Sequence, residues 1–378
     1  GGRVLQIDET NLAGARAAAL AYYQANTRTR AEVIEDTVAF DAVDGNTGFA
    51  ATGNAYLKTT FLGFANIYKL PVLDVAQAEY SKASLKAGGN KNEPSEIAMM
   101  LDITGSMGDG TKIADLKAAA ADLVKIVIAN NGTTNPVRVA LVPFAEGVRL
   151  PSSMNQQVRG TPGANFTRFA LGRNWDYAAT ECVVERTGAN KYTDAAPGPG
   201  NYMTTLFNTT IAIYVKGKCG ISQKNEIVPL TNDKVLLEQR IQNLELSGGT
   251  AGQVGTAWAW YTLSPSWNGL WPAASAAAAY GSKVRKIAIL MTDGEYNIGY
   301  DANGLQFDMP GAGAAVNGDS PTQARTLCTN MKAKGITIYT VGFALGGNAT
   351  AISTLAHCAT DPSKAYTIET GSELKQAF

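Results

Sequence analysis

Asp102, Thr104 and Ser106 alternate along the end of the apolar run IAMMLDITGSM, residues 97–107. Carboxylate and hydroxyl oxygens at that spacing, just past a buried strand, suit the grip on a hard divalent cation such as Mg²⁺. Met and Leu on both faces of the run fit a strand covered on both sides by helices, and the C-terminal end of such a strand is where open α/β sheets place ligands. The same three residue types also favour caps and turns, so they serve equally well the helix expected to begin near Thr111. A second strand end carries Thr292-Asp293-Gly294-Glu295 directly after KIAILM. Ser247-Gly248-Gly249-Thr250 offers a further hydroxyl where the helix GQVGTAWAWY opens. Asp102, Thr104, Ser106, Thr250 and Asp293 can therefore meet at one sheet edge.

The elements that must position these residues alternate in type. The strand at 97–102 is followed by a helix over 111–130 and the strand RVALVPFA over 138–145. Later come a helix over 253–263, the strand KIAILMTD ending at Asp293, a helix over 322–334, the strand ITIYTVGF and a last helix from Ser372. That rhythm predicts an α/β domain with a doubly wound, mostly parallel sheet. Residues 146–228 break it with Gly, Pro, Asn and Thr, which predicts a loop-rich insertion, and 264–282 reads as a second irregular surface stretch. Before the linker at 88–94 lies a different pattern. A helix over 9–26, strands over 33–44 and 48–56 joined at Asp44-Gly45-Asn46, a helix over 59–68 and a strand over 70–80 predict a small α+β unit. The expected domains are residues 1–94 and 95–378, with the insertion inside the second.

Lys plus Arg and Asp plus Glu are balanced at 32 each, and no basic stripe with interleaved aromatics appears. Nucleic acid is therefore excluded as a partner class. No run of about 20 apolar residues is present, so nothing in the chain predicts a membrane span. The chain opens at Gly1 rather than Met, which predicts a processed or truncated product whose upstream anchor is absent here. Four cysteines without a CxxC pair, beside the single histidine His357, fit disulfides better than zinc and point outside the cytoplasm. Three pairings are open; only proximity in sequence favours Cys182 with Cys219 and Cys328 with Cys358.

DITGSM, GGT and TDG, in that order and on those elements, resemble the metal-ion-dependent adhesion site of von Willebrand factor type A domains. Thr104 stands where that family more often has Ser, which keeps the hydroxyl. The resemblance implies that Asp102, Thr104, Ser106, Thr250 and Asp293 form the metal set for Mg²⁺ or Mn²⁺, with hydroxyls bound directly and some carboxylates acting through water. RVALVPF, GGTAGQVGTAWAWYTLSP, LMTDGEYN and the closing Cys328, GITIYTVGF, Cys358 pattern further resemble the TadG-like proteins of bacterial tight-adherence pilus loci. That resemblance spans about residues 95–378 and implies a non-enzymatic adhesion or assembly protein, extracytoplasmic, in the periplasm, the cell envelope or at a pilus tip. Its partners would be pilus subunits or assembly proteins, or a surface or host ligand offering an acidic residue. The 9–26 helix would then emerge from the missing anchor into a pilin-like unit. A minor pilin or structural tip component that does not use its metal for adhesion is the alternative.

Other chemistries fit the residues less well. Gly105, Gly108 and Gly110 before Lys112 miss the GxxxxGK[ST] phosphate-loop spacing. A Mg²⁺-dependent phosphohydrolase of the haloacid dehalogenase type needs a second Asp two positions after the first, where this chain has Thr104, which cannot titrate as an acid or base. His357 has no second histidine or GxSxG nucleophile to serve and reads as structural. Glu295 and Asp109 read as solvated charges. Trp258 and Trp260, two apart on a helix, point different ways, one to the core and one to a loop.

Overall fold

A computed structural model describes residues 10–27, 33–34, 36–43, 48–58, 69–75, 94–129, 137–209 and 223–370. The chain divides into two compact units, Gly1–Asn92 and Glu93–Phe378. In the first, helix α1 (Leu12–Thr27) buries Ala15 and Ala19 and packs on strand β2 (Ala39–Val43). The long strand β3 (Gly48–Lys58) pairs antiparallel with β1 (Val33–Ile34), β2 and β4 (Lys69–Val75). Val43 opposite Gly48 fixes the expected hairpin, while its turn, the 59–68 helix, residues 76–80 and the 88–93 part of the linker lie outside the described residues.

The second unit is built on a six-stranded sheet. Its order is β11 (Val228–Thr231), β6 (Val137–Phe144), β5 (Ser95–Asp102), β12 (Arg285–Thr292), β13 (Thr337–Phe343) and β14 (Ala365–Ile368). Every pairing is parallel except β11 with β6, so the sheet is mostly parallel as its strand and helix alternation predicts. All eight residues of central β5 are buried, which requires cover on both faces. Helix α2 (Lys112–Ala129) packs on β6, α5 (Gly252–Leu263) on β5, β6 and β12, and α7 (Ala349–Cys358) on β13. α4 (Lys234–Gln242) packs on α2, and α6 (Ser320–Ala333) lies between α5 and α7. Every residue of α5 is buried, its polar Gln253, Thr256 and Thr262 included. α4 and α7 lie outside the expected set of helices, although Ala351, Thr354, Leu355 and Cys358 bury one face of α7 at helical spacing, and the helix expected from Ser372 lies outside the described residues.

The insertion is more regular than its composition predicts. After β7 (Val148–Arg149) and the short helix α3 (Ser152–Arg159), strand β9 (Arg173–Arg186) pairs with β7, β8 (Phe166–Ala170) and β10 (Met203–Thr209) in a four-stranded antiparallel sheet. Alternation in RNWDY puts Trp175 and Tyr177 on one side, where they join Phe207, Leu305 and Met309 in a satellite core. The β8–β9 turn, Leu171-Gly172, has φ of 52° and 76°, the left-handed pair a two-residue hairpin needs, but Leu at the first position hides the usual Asn-Gly signal.

Residues 264–282 also depart from expectation, since Trp267 and Trp271 are buried rather than superficial. Trp267 stacks on Tyr261 at 4.3 Å and meets Trp258 edge-on at 5.2 Å. Trp258 and Trp260 are both buried too, the latter donating its indole N–H to the Tyr280 hydroxyl at 2.9 Å. The loop is pinned from the sheet by a buried ion cluster: Glu96 accepts from Lys286 and Arg138 at 2.5 Å each, and Arg138 also donates to the carbonyls of Ala274 and Ala276. Cys328 on α6 and Cys358 at the end of α7 form a disulfide, the local pairing that sequence proximity favours. Cys182 is disulfide-bonded as well, and Cys219 lies outside the described residues. Among the described residues, no helix is long and apolar enough to cross a membrane.

Candidate metal centre

Asp102 closes β5, and its side chain is wholly buried where the strand enters the next loop. Both its oxygens are engaged: Oδ1 accepts the Thr104 backbone N–H at 2.9 Å, and Oδ2 accepts the Thr292 hydroxyl at 2.7 Å. The loop then turns through a short 3₁₀ segment, Gly105–Gly108, which brings the next two hydroxyls together. Thr104 Oγ1 and Ser106 Oγ are 3.0 Å apart, and Ser106 Oγ donates to Asp293 Oδ1 at 2.7 Å. Because Ser106 has one proton and gives it to Asp293, the Thr104 hydroxyl is the donor to Ser106. The two hydroxyls serve each other and Asp293 rather than the backbone of α2, and Thr104 makes no side-chain cap bond, whereas Asp102 Oδ1 makes the turn-type bond to Thr104 N–H.

Asp293 follows β12, the strand beside β5, so parallel register alone brings two strand-end carboxylates to one edge. Its second oxygen, Oδ2, accepts the Lys112 ammonium at 2.9 Å; the Asp293 side chain is fully buried and that of Lys112 is 20% exposed. The third loop is tied in through backbone: Gly105 N–H donates to Gly248 O at 2.9 Å, and Ser247 N–H to Ile103 O at 2.8 Å. Thr250 is buried, and its carbonyl accepts from Asn297 N–H at 3.1 Å. Among the described residues, its hydroxyl makes no hydrogen bond. Asp102, Thr104, Ser106 and Asp293 thus share one hydrogen-bonded cluster, with Thr250 in the loop bonded alongside it.

Burial raises the Asp102 carboxyl to about 6, with the neighbouring charge of Asp293 adding to the rise and the bonds from Thr292 and Thr104 opposing it. Burial, followed by the Asp102 charge, likewise raises the Tyr296 phenol. The Tyr296 ring lies so close to the start of α5 that a Cβ on Gly252 would sit 2.0 Å from it, so only glycine fits there. Two further residues at this edge escape a reading of the sequence for ligands. Glu146, just past β6, lies buried against the third loop and accepts Gly249 N–H at 3.3 Å; a Cβ on Gly248 would stand 2.3 Å from its carboxyl carbon. Lys112, the first residue of α2, reaches Asp293 across the fold. The signal for Glu146 is another acidic residue at a strand end, and that for Lys112 is a cation at the end of a helix where the macrodipole disfavours one.

The donor set is all oxygen, two carboxylates and three hydroxyls, which is the chemistry of Mg²⁺ and Mn²⁺ sites. No three His, Cys, Asp or Glu side chains cluster for metal binding among the described residues, so any cation here would depend on the hydroxyls. The Lys112 ammonium already occupies Asp293 Oδ2, so one oxygen of this set is paired with a cation of the chain itself. Glu295 accepts from the Asn348 amide at 3.2 Å, and His357 exchanges a hydrogen bond with Thr329 at 3.1 Å.

No protein-family model matches the chain, and no curated protein matches it. Among solved structures, it resembles the vWF domain of the type V pili tip protein Mfa5 from Porphyromonas gingivalis, at 16% identity and a TM-score of 0.42, covering 76% of this chain and 93% of that one. It also resembles the pilus adhesin RrgA from Streptococcus pneumoniae, at 12% identity and a TM-score of 0.43, covering 92% of this chain and 49% of that one. The pilus adhesin SpaC from Lactobacillus rhamnosus GG matches at 13% identity and a TM-score of 0.41, covering 90% of this chain but 33% of that one.

Proposed function

We propose that this chain is a non-enzymatic, metal-dependent adhesion or assembly protein of a bacterial tight-adherence pilus. In this reading Asp102, Thr104, Ser106, Thr250 and Asp293 hold Mg²⁺ or Mn²⁺, and the metal, when bound, supplies an open coordination position for a carboxylate of a partner. The observation that carries the reading is the run of hydrogen bonds from Thr104 through Ser106 to Asp293, which gathers hydroxyls at the mouth of a buried two-carboxylate edge. Hydroxyls do not cancel the charge of a divalent cation as carboxylates do, so the ion would keep affinity for an external acidic side chain. Catalysis is disfavoured at the same place, because Thr104 occupies the position where a phosphohydrolase needs a proton-transferring carboxylate.

The pilus context rests on the motif resemblance over about residues 95–378, and with it the extracytoplasmic location and the partners, which are pilus subunits or a surface ligand offering an acidic residue. Cells carrying Asp102→Ala should make this protein at normal level yet lose attachment or pilus assembly, and electron-microscopic pilus counts separate the two roles. Normal pili with lost attachment identify adhesion, and missing pili identify assembly. Unchanged pili and unchanged attachment would overturn the proposal.

A further inference from the structure

We infer that the Lys112 ammonium is a built-in surrogate cation that a divalent metal must displace from Asp293. This inference rests on the metal-binding reading of the site and adds its regulation. Lys112 is the first residue of α2, where the positive end of the helix dipole opposes an ammonium, so its placement is not explained by the helix. Its side chain instead crosses to Asp293, 181 residues away in sequence, and meets Oδ2 at 2.9 Å. The Asp293 side chain is fully buried beside the wholly buried Asp102, which is a costly pairing of like charges without a counter-ion.

The two oxygens of Asp293 are divided between Ser106 and Lys112. A metal set that includes Ser106 and Asp293 calls on this same carboxylate, so ammonium and divalent ion compete for one negative charge. The metal-free protein gains from the ammonium, and the metal pays for its removal. The consequence is a site that stays folded when empty and fills in proportion to metal concentration, rather than one that is permanently loaded.

A cation beside a carboxylate changes that carboxylate's affinity for a second cation, the proton, by about one to three log units. A divalent ion contends with the same charge, so Lys112→Met should bind Mg²⁺ and Mn²⁺ at least about tenfold more tightly than the wild-type chain. In chelator the variant should melt at lower temperature, whereas Lys112→Arg, which keeps the charge, should stay close to wild type in both. A second readout uses the unaltered protein: acetic anhydride should label Lys112 faster once Mg²⁺ is added, as followed by mass spectrometry. Calorimetric titration of the three chains with MgCl₂ and MnCl₂ reads the affinities. Tighter binding by Lys112→Met with faster Lys112 labelling in the wild type supports the inference. Should Lys112→Met not fold, the labelling result decides. Wild-type binding with unchanged or weaker affinity in Lys112→Met, or with unchanged labelling, overturns the surrogate role and leaves the metal site standing. Absence of binding in all three chains overturns both.

Discussion

Replacing Asp102 by Asn tests the electrostatics of the site without a metal. In the chelated protein the Asp102 carboxyl titrates at about 6, against an ordinary value of 3.8, because burial and Asp293 both resist its ionisation. Below pH 3.8 the group is neutral folded or unfolded, and whatever the neutral form contributes is fully present. As pH rises through 6 that contribution is lost, because the unfolded chain has already released its proton. At about 1.4 kcal/mol per unit, a shift of this size is worth about 3 kcal/mol at pH 7. Asn keeps the shape: Oδ1 can still accept Thr104 N–H, and the amide can donate to the Thr292 hydroxyl that now donates to Oδ2. Asp102→Asn in chelator should therefore be more stable than wild type by up to about 3 kcal/mol at pH 7, with the gain vanishing near pH 4. Urea unfolding followed by circular dichroism at both pH values measures it. A variant less stable than wild type at pH 7 would refute the argument, because the carboxylate would then be a structural asset rather than a strained site.

Two further outcomes follow from the packing. Lys286→Met leaves the fully buried Glu96 with Arg138 as its remaining cation, so a loss of about 3 kcal/mol is expected by chemical denaturation, at the lower end for a broken buried pair. Removing the Cys328–Cys358 bridge, which spans a 30-residue separation, by the double change to Ala should cost about 3 to 4 kcal/mol in the same assay, with the fold retained under native conditions.

The central sheet was legible because its strands carry apolar runs that only a sheet covered on both faces would bury, and because helices alternate with them. Each expected ligand could be placed at a strand or helix end for the same reason. What stayed hidden depended on contacts distant in sequence. Trp267 and Trp271 look like surface residues in a Pro, Ser and Ala stretch until Trp258 and Tyr261 cover them and the Glu96 cluster holds their loop down. β9 carries an alternating pattern, but Leu171 in a left-handed turn conceals the hairpin that would announce it. Lys112 reads as an ordinary helix lysine, and only the fold shows that it lies on Asp293.

The proposed function depends most on whether the oxygens of Asp102, Thr104, Ser106, Thr250 and Asp293 take up a divalent cation. Calorimetric titration of the purified, chelator-treated chain with MgCl₂ and MnCl₂, alongside thermal unfolding, addresses this directly. One ion per chain is expected, with stabilisation of about 2.7 kcal/mol at a hundredfold excess over the dissociation constant. Both should be lost in Asp293→Ala. No heat of binding and no shift in melting temperature across a millimolar titration would contradict the account.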